Sequence, residues 1–219
     1  MRKLLFLFLL WIPFLTPAQT TKLNVTESKE YKDKVRSIDV IAIHTSTTEE
    51  TVIVRNAKRD FLFDVFDANL NRNFTKVVER DKKEKYVGDL FYENQLKLFS
   101  VYSPKKDERI MYCHTLDLAK HYYKKTIVFE TTVEKKQNLF GSSKNHNTSF
   151  SLSPNHNFYA FATDNIRKNK NSYTIRVFDT KTDELIYEKA YQEDEEHSFK
   201  HNDLYIDNNA QVYSLGKIY

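Results

Sequence analysis

The sequence predicts an all-β protein, and three observations support that prediction. Helical hydrophobic periodicity is nearly absent from the 219 residues, whereas short runs rich in β-branched and aromatic residues recur between polar turns. The chain contains 14 Tyr and 16 Phe, residue types that favour a half-buried pleated surface. An internal repeat, described below, indicates that the strands are grouped into similar units.

The first 18 residues are typical of a cleavable secretory signal. Arg2 and Lys3 precede an apolar run over residues 4–15, and the small residues 16–18 end it before Gln19. This run is shorter than the roughly 20 residues that a membrane-spanning helix needs. We therefore expect cleavage before Gln19 and no stable membrane span afterwards.

The mature chain is nearly neutral. Removal of Arg2 and Lys3 lowers the Lys and Arg count from 34 to 32, against 30 acidic residues. This balance gives no electrostatic signature of nucleic-acid binding, which requires basic residues gathered on one face. The Ala-Gln sequence at residues 18–19 resembles the signal ends of Gram-negative envelope proteins, so we expect a secreted or periplasmic bacterial protein.

The predicted strands form three groups of four, followed by a pair. A charged turn at residues 80–85 separates the first two groups, and a polar loop at residues 134–147 separates the next two. We expect a signal peptide over residues 1–18, a linker over 19–37 and one strand domain over 38–219. The predicted strands are 38–44, 52–55, 61–66, 74–78, 86–92, 96–102, 109–116, 122–133, 148–152, 158–163, 173–178, 185–191, 204–206 and 212–219.

An internal repeat predicts how these strands are arranged. Residues 63–70 resemble residues 175–182, and residues 111–118 form a weaker third copy. Each copy is an alternating strand that ends in Asp and leads through a polar turn into a second strand. A repeated unit of four strands and about 40–50 residues is typical of a propeller blade. The sequence therefore predicts a β-propeller-like array of four-stranded antiparallel blades, with a β-sandwich or a barrel as the alternative.

Two segments resemble the blades of TolB-like and WD-repeat propellers. They are "SLSPNHNFYAFAT" at residues 151–163 and "VFDTKTDELIYEKAY" at residues 177–191. In those families a Ser-Pro-Asp or Ser-Pro-Asn turn joins two inner strands, and a strand ending in Val-Phe-Asp follows as the third. The resemblance implies the same roles for residues 153–155 and 177–179.

The strand count predicts about three and a half blades, which is an incomplete ring. Propellers close with roughly four to eight blades, and an open array leaves edge strands that invite pairing. Three arrangements would satisfy those edges. The first strand could join the tail to close a fourth blade, the chain could belong to a longer protein, or the edges could pair with a partner or a second copy. We favour a partial propeller.

Cys113 and three repeated aspartates are the first candidate site residues. Cys113 lies in a strand-like run and is expected to be a buried apolar residue, with His114 on the opposite face of the strand. Asp67, Asp117 and Asp179 recur at one repeat position. They could bind a ligand or a cation on one face of the ring, but capping of their own turns explains them more simply.

The remaining candidates are histidines and charged segments in predicted loops. His197 and His201 have helical metal spacing near several acids, but Ser198 stands where a zincin helix needs Glu, so a solvated loop is favoured. His146 and His156 are assigned to polar turns. The charge runs at residues 82–85, 105–106 and 193–196 are expected to face water, and the acceptor motifs at Asn24, Asn73 and Asn147 matter only in a glycosylating host.

The sequence thus assigns no catalytic residue, cofactor or metal ligand. We predict an exported, non-enzymatic binding or scaffold module whose partner is a protein or a cell-envelope polymer, with self-association through open sheet edges as a further route. The alternatives are the N-terminal propeller of a larger hydrolase and a small-ligand-binding β-barrel.

Overall fold

The computed structural model describes residues 25–33, 37–105, 108–132, 148–167, 170–192 and 199–218, and these contain fourteen strands. Each strand coincides with one predicted from the sequence, so the all-β prediction is confirmed. The predicted signal peptide lies outside the described residues. The strands are β1 (Ser37–Thr45), β2 (Thr51–Ala57), β3 (Asp60–Phe66), β4 (Arg72–Glu79), β5 (Lys85–Tyr92), β6 (Gln95–Tyr102), β7 (Glu108–Asp117), β8 (Tyr122–Thr132), β9 (Thr148–Leu152), β10 (Phe158–Arg167), β11 (Lys170–Asp179), β12 (Leu185–Gln192), β13 (Phe199–Ile206) and β14 (Val212–Ile218).

Strand pairing follows chain order and yields separate sheets. The first twelve strands form three four-stranded antiparallel sheets, here called sheet I (β1–β4), sheet II (β5–β8) and sheet III (β9–β12). The last two strands pair as sheet IV. This grouping confirms the three predicted groups and the terminal pair. Within the described strands β1 pairs with β2 and not with β14, so closure of a fourth blade by the first strand is not seen.

The sheets pack face to face in chain order around three apolar clusters. Phe61 and Phe63 of sheet I meet Leu98 of sheet II in the first cluster. Phe99 of sheet II meets Phe161 of sheet III in the second. Ala160, Ala162, Ile175 and Val177 of sheet III meet Leu204 and Ile206 of sheet IV in the third. Successive four-stranded sheets that share such interfaces form a partial β-propeller-like array, rather than the sandwich or barrel kept as alternatives.

Alternating side chains explain why the inner sheets bury both of their faces. Leu98 and Phe99 are neighbours on β6, and both are fully buried, one against sheet I and the other against sheet III. Because successive residues of a strand point to opposite faces, a continuous apolar run fits a sheet that is covered on both sides. The interior of the array therefore consists of these shared faces.

Aspartates cap several turns at one edge of the array, here called the aspartate edge. In each four-stranded meander the turns after the first and third strands lie at the same end of the sheet. Asp67 Oδ1 accepts hydrogen bonds from backbone N–H groups of its own turn, and Asp179 Oδ1 and Asp207 Oδ1 do the same. Asp117 Oδ1 accepts one such bond, from Lys120 N. The turn-capping interpretation of the repeated aspartates is thus confirmed.

The left-handed residues of the turns are mostly neither Asn nor Asp. Because the chain has only three glycines, the sequence predicts that Asn and Asp, which tolerate a positive φ better than most residues, carry the tight turns. In the structure most of these positions are occupied by other residue types. The described non-glycine residues with positive φ are Glu49, Leu70, Lys83, Glu93, His121, His156, Asp183 and Ala210.

Part of the predicted linker packs on sheet I. Residues 25–33 contain no strand. Tyr31 accepts a hydrogen bond from Arg72 N and packs edge-on against Phe66. The Asp33 carboxylate pairs with Arg55 and Arg72, and the hydrogen bond from Arg55 is the main reason that the pKa of Asp33 lies below its ordinary value. This segment therefore covers part of the outer face of sheet I.

Candidate functional site

A fully buried polar centre lies between sheets I and II. The side chains of Glu84 and His114 are completely buried, and His114 Nε2 lies 2.9 Å from Glu84 Oε1. Ser100 Oγ donates to the same oxygen at 2.5 Å and lies 2.8 Å from His114 Nε2. The other ring nitrogen, Nδ1, is 2.8 Å from the Tyr123 hydroxyl. Phe61 of sheet I closes the centre with its ring edge-on to the imidazole.

The second Glu84 oxygen anchors the β4–β5 linker. Glu84 Oε2 accepts from Asp81 N at 2.9 Å and from Lys125 Nζ at 3.1 Å. Burial by itself would raise the pKa of this carboxyl, but the hydrogen bonds from His114 and Ser100 outweigh that effect and lower the pKa of Glu84 to about 2. Glu84 is therefore ionised and holds the linker against sheet II.

This centre contains serine, histidine and glutamate but cannot act as a catalytic triad. In a triad the acid and the nucleophile contact opposite ring nitrogens, so that one orients the imidazole while the other gives up its proton. Here Glu84 and Ser100 share Nε2, while Nδ1 contacts Tyr123. The three side chains are also sealed from solvent. We assign the centre a structural role.

Glu84 is buried, contrary to the prediction for the charge run that contains it. The charge run at residues 82–85 was expected to face water, and Lys82, Lys83 and Lys85 are indeed exposed. Glu84 is buried because donors from β6, β7 and β8 converge on its carboxylate. These donors are distant in the sequence, so the residues next to Glu84 give no indication of them.

Cys113 and His114 lie as the sequence predicts. Cys113 is buried in the cluster between sheets II and III, whereas His114 contacts Phe61 of sheet I on the other side of the same strand. Burial raises the pKa of the Cys113 thiol to about 11, which leaves it protonated and unreactive at neutral pH.

The structure places none of the described candidate histidines in a metal-binding cluster. His156 occupies the left-handed position of the β9–β10 turn. His146, Asn147 and His197 lie outside the described residues, while His201 falls in β13 rather than in the expected loop. Within the described ranges no three His, Cys, Asp or Glu side chains are grouped as metal ligands. The same ranges contain no helix of the length and hydropathy of a membrane span.

A cationic cleft opens at the edge of sheet I opposite the aspartate edge. Its volume is about 520 Å³, and residues 58–59 of the β2–β3 turn and residues 79–84 line it. Arg80 joins the two walls, since Arg80 N donates to Arg59 O at 2.7 Å and Arg80 Nη2 donates to Ala57 O at 2.5 Å. The lining carries five cationic and three acidic side chains. We call it the basic cleft.

The outer face of sheet I is partly apolar and exposed. Register places Val40, Arg55, Leu62 and Val77 in one row across the four strands. Val40 is 55% exposed and Val77 is 46% exposed. A second row contains Ile43, which is 59% exposed.

The outer face of sheet IV has the same character. Leu204 and Ile206 face sheet III, so the paired Tyr205 and Tyr213 point away from the array. Leu215 lies on the same side and is 67% exposed, and the two tyrosines are each about half exposed. The described array therefore ends in an aromatic and apolar face on sheet IV, whereas the outer face of sheet I combines exposed apolar residues with the ion pairs of Asp64 with Arg55 and Arg72.

Comparisons with known proteins leave the family open. No family model matches the chain, and no curated protein matches it. Among solved structures it is similar to the β-propeller domain of Nup133 from Vanderwaltozyma polyspora, with 10% identity and a TM-score of 0.42. The match covers 92% of this chain and 57% of that one, so the chain spans little more than half of the structure that it resembles. The fold assignment rests on the sheet topology.

Proposed function

We propose that this chain is an exported, non-enzymatic binding module that holds a protein partner on the outer faces of its terminal sheets. The observation that carries the proposal is the outer face of sheet IV, where Tyr205, Tyr213 and Leu215 are exposed side by side. Aromatic residues that are exposed together are typical of protein interfaces, because they bury much area with little loss of conformational freedom.

The partner is expected to present an apolar sheet face. Inside the array every sheet boundary buries rows of apolar side chains against a neighbouring sheet. The outer row of sheet IV continues that alternation, and among the described residues no further sheet lies on it. An apolar protein surface fits such a face better than a strongly hydrated envelope polymer does.

Site-specific photo-crosslinking in the organism that makes the protein tests this proposal. A photoreactive residue replaces Tyr213 on sheet IV or, as a matched control, Ile127 on β8, which is 54% exposed but lies outside the terminal sheets. We expect a defined crosslinked protein from position 213, none from position 127, and loss of the product when Leu215→Asp is added. Equal crosslinking from both positions would contradict the proposal.

The export part of the proposal is tested on protein purified from the same cells. Intact mass measurement of protein recovered from the envelope fraction should give a chain that begins at Gln19. A cytoplasmic chain that retains its first residues would refute the export part of the proposal and leave the binding part to the crosslinking result.

A further inference from the structure

We propose that the basic cleft binds the phosphate groups of an anionic ligand. The cleft is at the opposite end of the strands from the aspartate edge, and it contains none of the exposed apolar residues that carry the proposed function. Phosphate binding in the cleft can therefore be tested independently of the proposed protein docking.

Four cationic side chains of the cleft have no acidic partner among the residues that the structure describes. Lys58 and Arg59 occupy the β2–β3 turn, and Lys82 and Lys83 occupy the tip of the β4–β5 linker. All four are exposed. Like charges gathered around one concavity repel each other, and an anion that enters the cleft relieves that repulsion.

The acidic side chains in the lining do not neutralise this excess. The Glu84 carboxylate is buried and faces His114, Ser100 and Lys125, and Glu84 and Asp60 attract Arg80 rather than the four exposed cations. Asp81 also pairs with Lys125, at 3.3 Å. Glu79 is thus the one lining carboxylate for which the described residues show no ion pair.

The linker that carries Lys82 and Lys83 is held in one conformation. Glu84 N donates to Asp81 O at 3.0 Å, and Lys83 lies in the left-handed region with a φ of 76°. The buried centre fixes the end of this turn through Glu84. Because the backbone of the turn is already ordered, binding of a ligand costs only the rotamer freedom of the side chains, which favours a specific site over a mobile charged loop.

Arg80 adds a fixed positive charge to the wall of the cleft. Its guanidinium lies over the Phe61 ring, Nη1 and Nη2 donate to Glu84 O and Ala57 O, and Nε is buried without a hydrogen-bond partner among the described residues. Burial lowers the pKa of Arg80, yet the group remains charged at neutral pH. This fixed charge and the exposed side chains of Lys58, Arg59, Lys82 and Lys83 suit phosphate, which carries about −1.5 to −2 charges in a compact group with several acceptor oxygens.

Isothermal titration calorimetry of the mature chain with inorganic pyrophosphate tests the assignment. We expect saturable binding that weakens as salt is added, and a loss of affinity of about tenfold for Arg59→Gln and for Lys82→Gln. Both side chains are exposed and lack a described ion-pair partner, so the variants should fold. Lys181→Gln at the aspartate edge removes the same charge and should change the affinity less than about twofold.

Two further measurements, a citrate titration and a vesicle flotation assay, identify the class of ligand. Citrate should bind more weakly than pyrophosphate, and equal or tighter citrate binding would overturn the phosphate assignment. If the chain floats with vesicles that contain phosphatidylglycerol and Lys82→Gln abolishes this flotation, the phosphate belongs to a lipid headgroup. If the chain binds pyrophosphate but does not float, the phosphate belongs to a soluble ligand. Absence of binding in both assays, or equal weakening by Lys181→Gln, would overturn the proposal.

Discussion

Gly88 on β5 faces Phe150 on β9 across the boundary between sheets II and III, and no side chain fits between them. A Cβ atom on Gly88 would lie 2.4 Å from Phe150 Cδ1 and 2.9 Å from Phe150 Cβ. The second of these atoms is fixed by the backbone of β9, so a rotation of the phenyl ring cannot relieve the clash. The absence of a side chain at Gly88 therefore sets how closely the two sheets approach each other.

Gly88→Ala should lower the free energy of unfolding by about 2 kcal/mol, the usual cost of overpacking a core. Chemical denaturation measures the change. The same substitution in a Phe150→Ala background should cost clearly less, because the phenyl ring is then absent. Equal costs in the two backgrounds would show that the contact does not determine the sheet spacing.

Glu84→Gln should destabilise the chain by about 3 kcal/mol at neutral pH, because it replaces an ionised, fully hydrogen-bonded group in the buried centre. The pKa of Glu84 falls from its ordinary value of 4.5 to about 2 in the folded chain. Its contribution is thus complete above about pH 4.5 and is lost as the pH falls toward 2.

Denaturation of wild type and Glu84→Gln at several pH values separates this contribution from that of other carboxyls. The stability difference should be constant above about pH 5 and should shrink steadily below it. A difference that does not change between pH 5 and pH 2 would contradict the assigned ionisation of Glu84.

Much of the fold could be predicted from the sequence, because the signals are local. Alternation of apolar residues located the fourteen strands, and the repeated Asp at the end of the third strand indicated the blade pattern. The Ser153-Pro154-Asn155 turn joins β9 to β10 as the resemblance implied. These features depend on residues within one strand or one turn.

The buried centre could not be predicted, because its members meet only in the folded array. Glu84 lies among lysines, a context that is typical of a solvated loop. Its partners Ser100 and His114 are 16 and 30 residues away and contain nothing that marks them as a pair with it. The basic cleft was missed for the same reason, since β3 and β4 must pair before the turn at residues 58–59 meets the linker.

The capping aspartates provide a test of the repeat. Asp179→Ala removes the acceptor for Lys181 N and Thr182 N and should cost about 1 kcal/mol of stability. Asp179→Asn keeps an acceptor oxygen at Oδ1 and should retain most of that stability. Thermal unfolding compares the two, and equal losses would mean that charge, rather than turn capping, explains the aspartate.

The docking of the N-terminal segment depends on Asp33. Asp33→Asn weakens its pairs with Arg55 and Arg72 and should free the segment from sheet I. Trypsin cleavage after Lys29, whose neighbouring residues are unchanged, should then become several-fold faster, since proteolysis follows local opening. Asp39→Asn serves as the control, because Asp39 is exposed on β1. Unchanged cleavage in the Asp33 variant would indicate that other contacts hold the segment.

Hydroxyl-radical footprinting of Tyr213 tests most directly whether the end of the array is a docking face. We expect rapid modification of Tyr213 in the isolated mature chain and strong protection in the native envelope, with Tyr122 on the outer strand of sheet II modified equally in both. Equal modification of Tyr213 in the two settings would contradict it.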